Sequence, residues 1–397
     1  MTPLFNDPDY RRLWFAAACN QQGASGEHIV LGLLVFRATG STEGVGVMMA
    51  AYFLPFFVIG MLSGAIADWM DRRALLRRIE CLIILNQLAF AGTLLLGATA
   101  LWSFLPFTLL AGSLRALHQP ARISYAYDIT GPDRVVAALG LLNLGARSGQ
   151  LIGALVTGWI MQGYGAPAAM LAIAGGHGIA LIMLSRLRRV GIAADGAAVP
   201  MRRTLRALFT ELGGNRMLVA LLLLTAAVEV FGFSFSTALP ELATNRLHLG
   251  ADGLGILQAA RAGGGILAGL AMAGMGRLRR RGVAFLVVIY VFGASVLLLS
   301  ADSALTFTLA AIVAVSAMAA ASDVLTQSMM QLCVANHLRG RAMGLWVLAV
   351  GFAPIGHLEI GALTAAIGLN GALFANGVAL LGIAVLITLA FPALRRL

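Results

Sequence analysis

Lysine is absent from this chain of 397 residues, and all 28 basic side chains are arginine. Charge of either sign is scarce: 11% of residues are Asp, Glu, Lys or Arg, against roughly 25% in a soluble domain. With 59% hydrophobic residues and a mean hydropathy of +0.88, that scarcity excludes a water-soluble globular protein. Cysteine is nearly missing too. Cys19, Cys81 and Cys333 lie within or at the ends of apolar runs with no C-x-x-C spacing, which argues against a disulfide framework or a thiolate metal site and leaves small packing residues. There is no H-E-x-x-H string and no histidine at ligand-like spacing from an acid, so neither an enzyme nor a bound metal or cofactor is expected. The segment from Met1 to Trp14 carries Asp7 and Asp9 instead of a short apolar core with a cleavage site, and the first apolar run itself is expected to direct insertion.

What the chain does have is a series of long apolar runs, continuous and rich in Gly, Ala and Leu, which suits membrane helices and not a transmembrane barrel. They divide into twelve spans, about 13–36, 45–67, 79–100, 104–125, 135–161, 167–184, 217–239, 254–274, 283–299, 305–332, 343–367 and 372–391. The expected fold is therefore an all-α membrane protein of twelve transmembrane helices in two six-helix bundles related by a parallel pseudo-repeat. The bundles are 1–185 and 216–397, and the arginine-rich stretch 186–215 between them is a linker.

The formal charge of +11 would suggest a nucleic-acid partner in a soluble chain. Mapped on the spans, the arginines give a simpler account. Arg11, Arg12, Arg72, Arg73, Arg77, Arg78, Arg134, the cluster from Arg186 to Arg216, the run from Arg277 to Arg281, Arg339, Arg341, Arg395 and Arg396 fall in the termini or even-numbered loops. Only Arg37 and Arg246 fall in odd-numbered loops. By the positive-inside rule both termini and the linker are cytoplasmic. No nucleic acid is needed as a partner; the lipid bilayer is. Glu27 in span one and Glu229 in span seven share the offset of about 200 residues that relates the halves.

The loop Gly64-Ala65-Ile66-Ala67-Asp68-Trp69-Met70-Asp71-Arg72-Arg73 follows the second span and resembles the loop signature of the major facilitator superfamily, with Trp69 where that family often has arginine. Gln119-Pro120-Ala121-Arg122 leading to Asp128, Leu338-Arg339-Gly340-Arg341-Ala342-Met343-Gly344-Leu345, Pro354-Ile355-Gly356-His357-Leu358, the opening Tyr10-Arg11-Arg12-Leu13-Trp14 and the Gly26-Glu27 pair are similar to the branch with siderophore exporters, macrolide efflux pumps and the lysophospholipid transporter. The resemblance covers essentially the whole chain. It implies a monomeric carrier in a bacterial inner membrane that moves a small molecule by rocking two bundles about a midplane site, driven by protons. It also implies that Gly64, Asp68, Asp71, Arg72, Arg73 and Arg122 form a cytoplasmic latch, with Asp68 pairing with Arg122. One departure stands out: Arg147-Ser148-Gly149-Gln150 has Gln150 where many antiporters have proline, so antiport does not carry over from that motif.

Charges inside the spans should carry the chemistry, since each costs roughly 2.5–3.5 kcal/mol at mid-bilayer and needs a cavity or a partner. Helical spacing groups Asn20, Gly23 and Glu27 on span one and Thr225, Glu229, Gly232 and Ser236 on span seven. It also pairs Arg147 with Gln150 on span five, Gln258 with Arg261 on span eight, and Asp323 with Gln327 on span ten. The cavity candidates are thus Asn20, Glu229, Arg147, Gln150, Arg261, Gln258 and Gln327. A buried carboxylate beside an arginine can exchange a proton as cargo comes and goes, which makes Glu27, Asp323 and Glu359 the proton-coupling candidates. Arg147 is the expected counter-charge of Glu27, and Glu229 is expected to meet cationic or polar parts of the cargo. The plainer alternative is that such pairs only lock helices together. His177, among glycines, reads as packing; His28 reads as a pH sensor or a core residue. His357 and Glu359, two apart, do not share a helix face.

The reading is proton-coupled efflux of a small amphipathic compound, a drug or siderophore. Its alternatives are a lysophospholipid flippase of the same fold, or a receptor or scaffold.

Overall fold

A computed structural model of the chain describes residues 2–97, 100–131, 134–191, 215–274, 280–301, 304–333, 346 and 349–396. Most of the expected linker, residues 192–214, lies outside the described residues, as do residues 277–279 of the basic loop and the 338–345 motif. The described residues are helical almost throughout and hold no strand.

The first part comprises α1 (Pro8–Thr39), α2 (Thr42–Trp69), α3 (Arg72–Leu95), α4 (Leu101–Thr130) and α5 (Val135–Ser185). The second begins with α6 (Arg216–Ala227), which runs through a π-helical turn (Val228–Gly232), α7 (Phe235–Glu241) and a second π turn (Leu242–Arg246). It continues with α8 (Ala251–Gly274), α9 (Arg281–Leu299), α10 (Leu305–Leu332) and α11 (Ala353–Ala390). Caps written in the sequence set several starts. Asp7 accepts from the N–H of Asp9 at 3.0 Å, Ser41 from Glu43 at 3.0 Å, Asp71 from Arg73 at 2.9 Å and Asn215 from Met217 at 3.1 Å, each satisfying an orphan donor of a first turn. Gly40, with φ of 64°, ends α1.

Two helices are bent pairs. α5 turns at Gly165 (φ 82°) and α11 at Gly368 (φ 76°), backbone conformations that favour glycine. The bends fall between the expected spans five and six and between eleven and twelve, again about 200 residues apart. Among the described residues seven helices are long and apolar enough to cross a membrane by length and composition. Large apolar side chains such as Leu85, Trp102, Trp159 and Leu389 are exposed, a surface that suits hydrocarbon and would aggregate in water.

Within the first part α1 packs on α5, and α3 packs on α4 and α5; within the second, α10 packs on α8 and α9. Two long contacts join the parts, α2 to α11 and α5 to α8. Small residues make them close. A β-carbon at Gly158 would stand 2.8 Å from the carbonyl oxygen of Ala251, and one at Gly361 would stand 2.9 Å from the Cα of Glu43. One at Gly46 would collide with the His357 carbonyl. Thr42 also hydrogen-bonds to Glu241, and Gln162 accepts from the N–H of Ala251 at 2.9 Å. All of these contacts cluster at the face that carries the turns at 40–41 and 247–250.

Candidate functional site

Toward the other face the two parts separate around a cavity of about 630 Å³. α1 lends it Asn20, Gln21, Ser25 and His28; α2 lends Tyr52, Phe53 and Phe56; α4 lends Arg115, His118, Ile123 and Ser124. Arg147 and Gln150 come from α5, and Gln258 and Arg261 from α8. The cavity reaches to about one helical turn from Asp128 near the end of α4, where Asp128 Oδ1 pairs with Arg72 Nη1 at 2.6 Å.

Five of the seven expected cavity residues line it: Asn20, Arg147, Gln150, Gln258 and Arg261. Arg147 donates to Gln150 Oε1 at 3.5 Å, Gln150 to Gln21 Oε1 at 3.0 Å and Arg261 to Gln258 Oε1 at 3.2 Å. Glu229 and Gln327 do not line it. For Glu229 the reason is local: it sits in the π turn Val228–Gly232, and five residues per hydrogen-bonded ring break the 3.6 spacing that put Thr225, Glu229, Gly232 and Ser236 on one face. Glu229 is buried, close enough to Asp323 for their charges to interact. Asp323 in turn lies within electrostatic range of Arg147.

Glu27 also needs a correction. Its counter-charge is Arg115, not Arg147: Arg115 Nη2 stands 2.8 Å from Glu27 Oε2 and Nε donates to the same oxygen at 2.9 Å. Gln87 donates to the other carboxylate oxygen. Glu27 is buried behind the cavity wall, and Arg147 lies across the cavity against α8, where a β-carbon at Gly265 would be 3.0 Å from its Cζ.

A group that sequence reasoning passed over completes this interior. Glu80 of α3 is fully buried; its Oε1 accepts from Asn20 Nδ2 at 2.7 Å, its Oε2 is 2.7 Å from His177 Nδ1, and His118 Nε2 is 3.4 Å away. Arg115 Nη1 donates to Asn20 Oδ1 at 3.2 Å and so joins the two carboxylates through one amide. His177 is therefore a hydrogen-bond partner of Glu80 and not mere packing. The signal was present in the i, i+7 spacing of Glu80 and Gln87 on one face of α3; their partners on other helices were not readable from spacing.

Glu359 is half-buried and accepts from Asn376 Nδ2 at 3.2 Å. His357 faces elsewhere, as expected, pairing with Thr237 at 2.6 Å and stacking on Phe53 at 5.0 Å between centroids. His28 meets Tyr52 edge-on at 4.9 Å.

Of the expected latch, the side chain of Asp68 and the surroundings of Gly64 lie outside what the structure describes. Asp71 accepts from the N–H of Arg73 and of Gly191, the latter at 3.0 Å, while Arg73 donates to the Leu187 carbonyl at 3.2 Å. Arg122 is buried.

Comparison with known proteins gives this geometry its context. The family model described as transmembrane secretion effector, within the major facilitator group, matches residues 1–396. The chain belongs to this family. It is thus a multi-pass membrane transporter and not an enzyme. A staphyloferrin A transporter of Staphylococcus aureus is 26% identical over 233 residues, a match spanning 57% of this chain and 57% of that protein. A POT family transporter solved with a thioalcohol-conjugated peptide superposes with a TM-score of 0.81 at 13% identity, covering 97% of this chain and 96% of its own. A bacterial homologue of the human lysosomal transporter Spinster, solved inward-facing and unoccupied, superposes at 0.75 with 16% identity, covering 100% and 99%. At these identities the two structures speak for the fold alone.

Proposed function

We propose that this family member is a proton-coupled exporter of a small amphipathic compound, a drug or siderophore, working as a monomer in a bacterial inner membrane by rocker-switch alternating access. The observation that carries the reading is asymmetric closure. The two parts touch backbone to backbone at Gly46, Gly158 and Gly361, and part around the cavity toward the opposite face. Two rigid bundles, 1–185 and 216–397, joined by 186–215, would rock about those contacts and present the cavity to each side in turn. With the arginine asymmetry placing both termini in the cytoplasm, the cavity opens inward. The partial likeness to a staphyloferrin A transporter supports the siderophore option.

Coupling is assigned to Glu27, whose partner Arg115 lines the cavity. Cargo arriving beside Arg115 competes for its guanidinium and frees Glu27 to take a proton; release restores the pair. Asp323 and Glu359 are the reserve candidates. Asp68 is assigned to the latch.

Purified protein in proteoliposomes with an imposed pH gradient tests the reading. Gradient-driven accumulation of a dye or siderophore is expected, and a chain that binds but never moves cargo would be a receptor. For orientation, single cysteines at Asp195 and Gly163 in a cysteine-free chain should react with an impermeant thiol reagent from opposite sides of the membrane; same-side reaction would overturn the topology.

A further inference from the structure

The cavity wall has one sign. Arg115, Arg147 and Arg261 line it, and among the described residues no aspartate or glutamate does. Arg115 is compensated by Glu27. Arg147 and Arg261 have no carboxylate within 4.0 Å among the described residues. Each leans on an amide oxygen instead, at 3.5 Å for Arg147 and 3.2 Å for Arg261.

The two cations belong to different halves yet lie together. Arg147 crosses from α5 to rest on Gly265 of α8, one turn beyond Arg261, and the guanidinium groups lie within each other's field. Asp323, the carboxylate in electrostatic range of Arg147, lies outside the lining. Like charges held side by side in a low-dielectric interior are costly unless something of opposite sign comes between them. Guanidinium groups match carboxylates in a planar, two-point fashion. The same lining carries a run of ring contacts through His28, Tyr52, Phe53 and Phe56, with centroids 4.9 Å apart for His28 and Tyr52 and 5.8 Å for Phe53 and Phe56.

We propose that the cargo is an amphipathic organic anion with two or more carboxylate-like groups, bridging Arg147 and Arg261 while its apolar part lies on the Tyr52, Phe53 and Phe56 surface. This rests on the carrier reading above and narrows it. Because one arginine comes from each half, a bridging anion also draws the halves together on the open side, so the same contact that selects the cargo favours closure over it.

The test compares two dyes on the same xanthene frame, anionic carboxyfluorescein and cationic rhodamine 6G, by fluorescence anisotropy on purified protein in detergent. Carboxyfluorescein is expected to bind at least ten-fold more tightly. Arg147→Gln and Arg261→Gln should each weaken it about ten-fold, the loss of one charged pair, and Arg147→Lys should recover part of that loss. Equal or tighter binding of rhodamine 6G, no measurable binding of carboxyfluorescein, or unchanged anion affinity in both glutamine variants would overturn the proposal. If the variants do not fold, the comparison of dyes on the wild-type chain decides. Binding is read here without flux, so a protein that binds the anion yet fails to transport in proteoliposomes would count against the carrier reading alone.

Discussion

The two halves of the chain bury their charges in opposite ways. In the first half, Glu27, Glu80, Arg115, Asn20, Gln87, His118 and His177 form one connected set spread over α1, α3, α4 and α5, with contacts between 2.7 and 3.4 Å apart from the shorter Gln87 to Glu27 bond. In the second half, Glu229, Asp323 and Arg261 make no ion pair within 4.0 Å among the described residues. A buried charge that is fully partnered fixes its helices, because breaking one partnership strands the rest. A buried charge without a partner is free to respond to cargo or a proton. The first half therefore carries a partnered frame that meets the cavity at Asn20, Arg115 and His118, with Glu27 behind Arg115; the charges left to respond are Arg147 of α5 and the second half's Glu229, Asp323 and Arg261.

The sharpest way to break this contrast is a stability comparison. Glu80→Ala removes the carboxylate that His177, His118 and Asn20 share, and should cost about 3–5 kcal/mol, as removal of one partner of a buried pair does. Glu229→Gln should change stability by less than about 1 kcal/mol, since it removes a charge that has no ion-pair partner. Thermal unfolding in detergent measures both. Comparable losses in the two variants would abolish the distinction between frame and responsive groups.

Next in size is a functional split. Glu27→Gln keeps a group of the same shape facing Arg115 and Gln87 but cannot exchange a proton, so accumulation against a gradient should fall by more than about ten-fold while downhill exchange persists. Vesicles with and without an imposed pH gradient separate the two rates. If Glu27→Gln still concentrates cargo, coupling belongs to the second half, and Asp323→Asn and Glu359→Gln become the variants to examine.

A smaller effect is expected at the closed face. Gly158→Val places a branched side chain where the Ala251 carbonyl and Gly255 leave room for hydrogen alone, so the halves can no longer meet there. Turnover should drop a few-fold as that face fails to seal, with cavity binding of carboxyfluorescein in detergent nearly unchanged. A variant that turns over normally would show that these contacts are not the fulcrum.

Much of the architecture was legible because lipid forces it into the sequence. Apolar runs mark helices, whereas the bends at Gly165 and Gly368, which no spacing singles out, appear only in the backbone. Five cavity residues were legible by the same logic, since a polar stripe in a membrane helix must face something polar. What spacing does not contain is the partner. Glu27 was matched to Arg147 because both were visible as intramembrane charges, and the actual neighbour, Arg115, is decided by how α1 meets α4. Glu80 escaped because it stands near the start of its apolar run, where a charge attracts no notice. Glu229 was misplaced because no residue pattern announced a π turn.

The smallest effect concerns the joint that ties the N-terminus to the chain after α5, and it extends the frame idea outside the membrane. Asp9, ahead of the first span, accepts from the backbone N–H of Arg189 at 2.9 Å, from that of Arg188 at 3.1 Å and from the Arg12 side chain at 3.0 Å. Burial pushes its carboxyl up, but the N–H groups of Arg189 and Arg188 and the Arg12 guanidinium outweigh that and hold it below the ordinary aspartate value of 3.8. A carboxyl whose folded value is depressed adds stability that is fully present above the unfolded value and is lost as pH falls through the folded one. The joint should therefore be indifferent to pH from neutrality down to about pH 4 and loosen only below it. Asp9→Asn keeps the shape and discards the charge, so the variant should unfold at a somewhat lower temperature at pH 7, with the difference from the parent shrinking toward zero as pH drops below 4. If the two curves instead run parallel down to pH 3, the contacts of Asp9 are geometric only, and the frame does not extend to this joint.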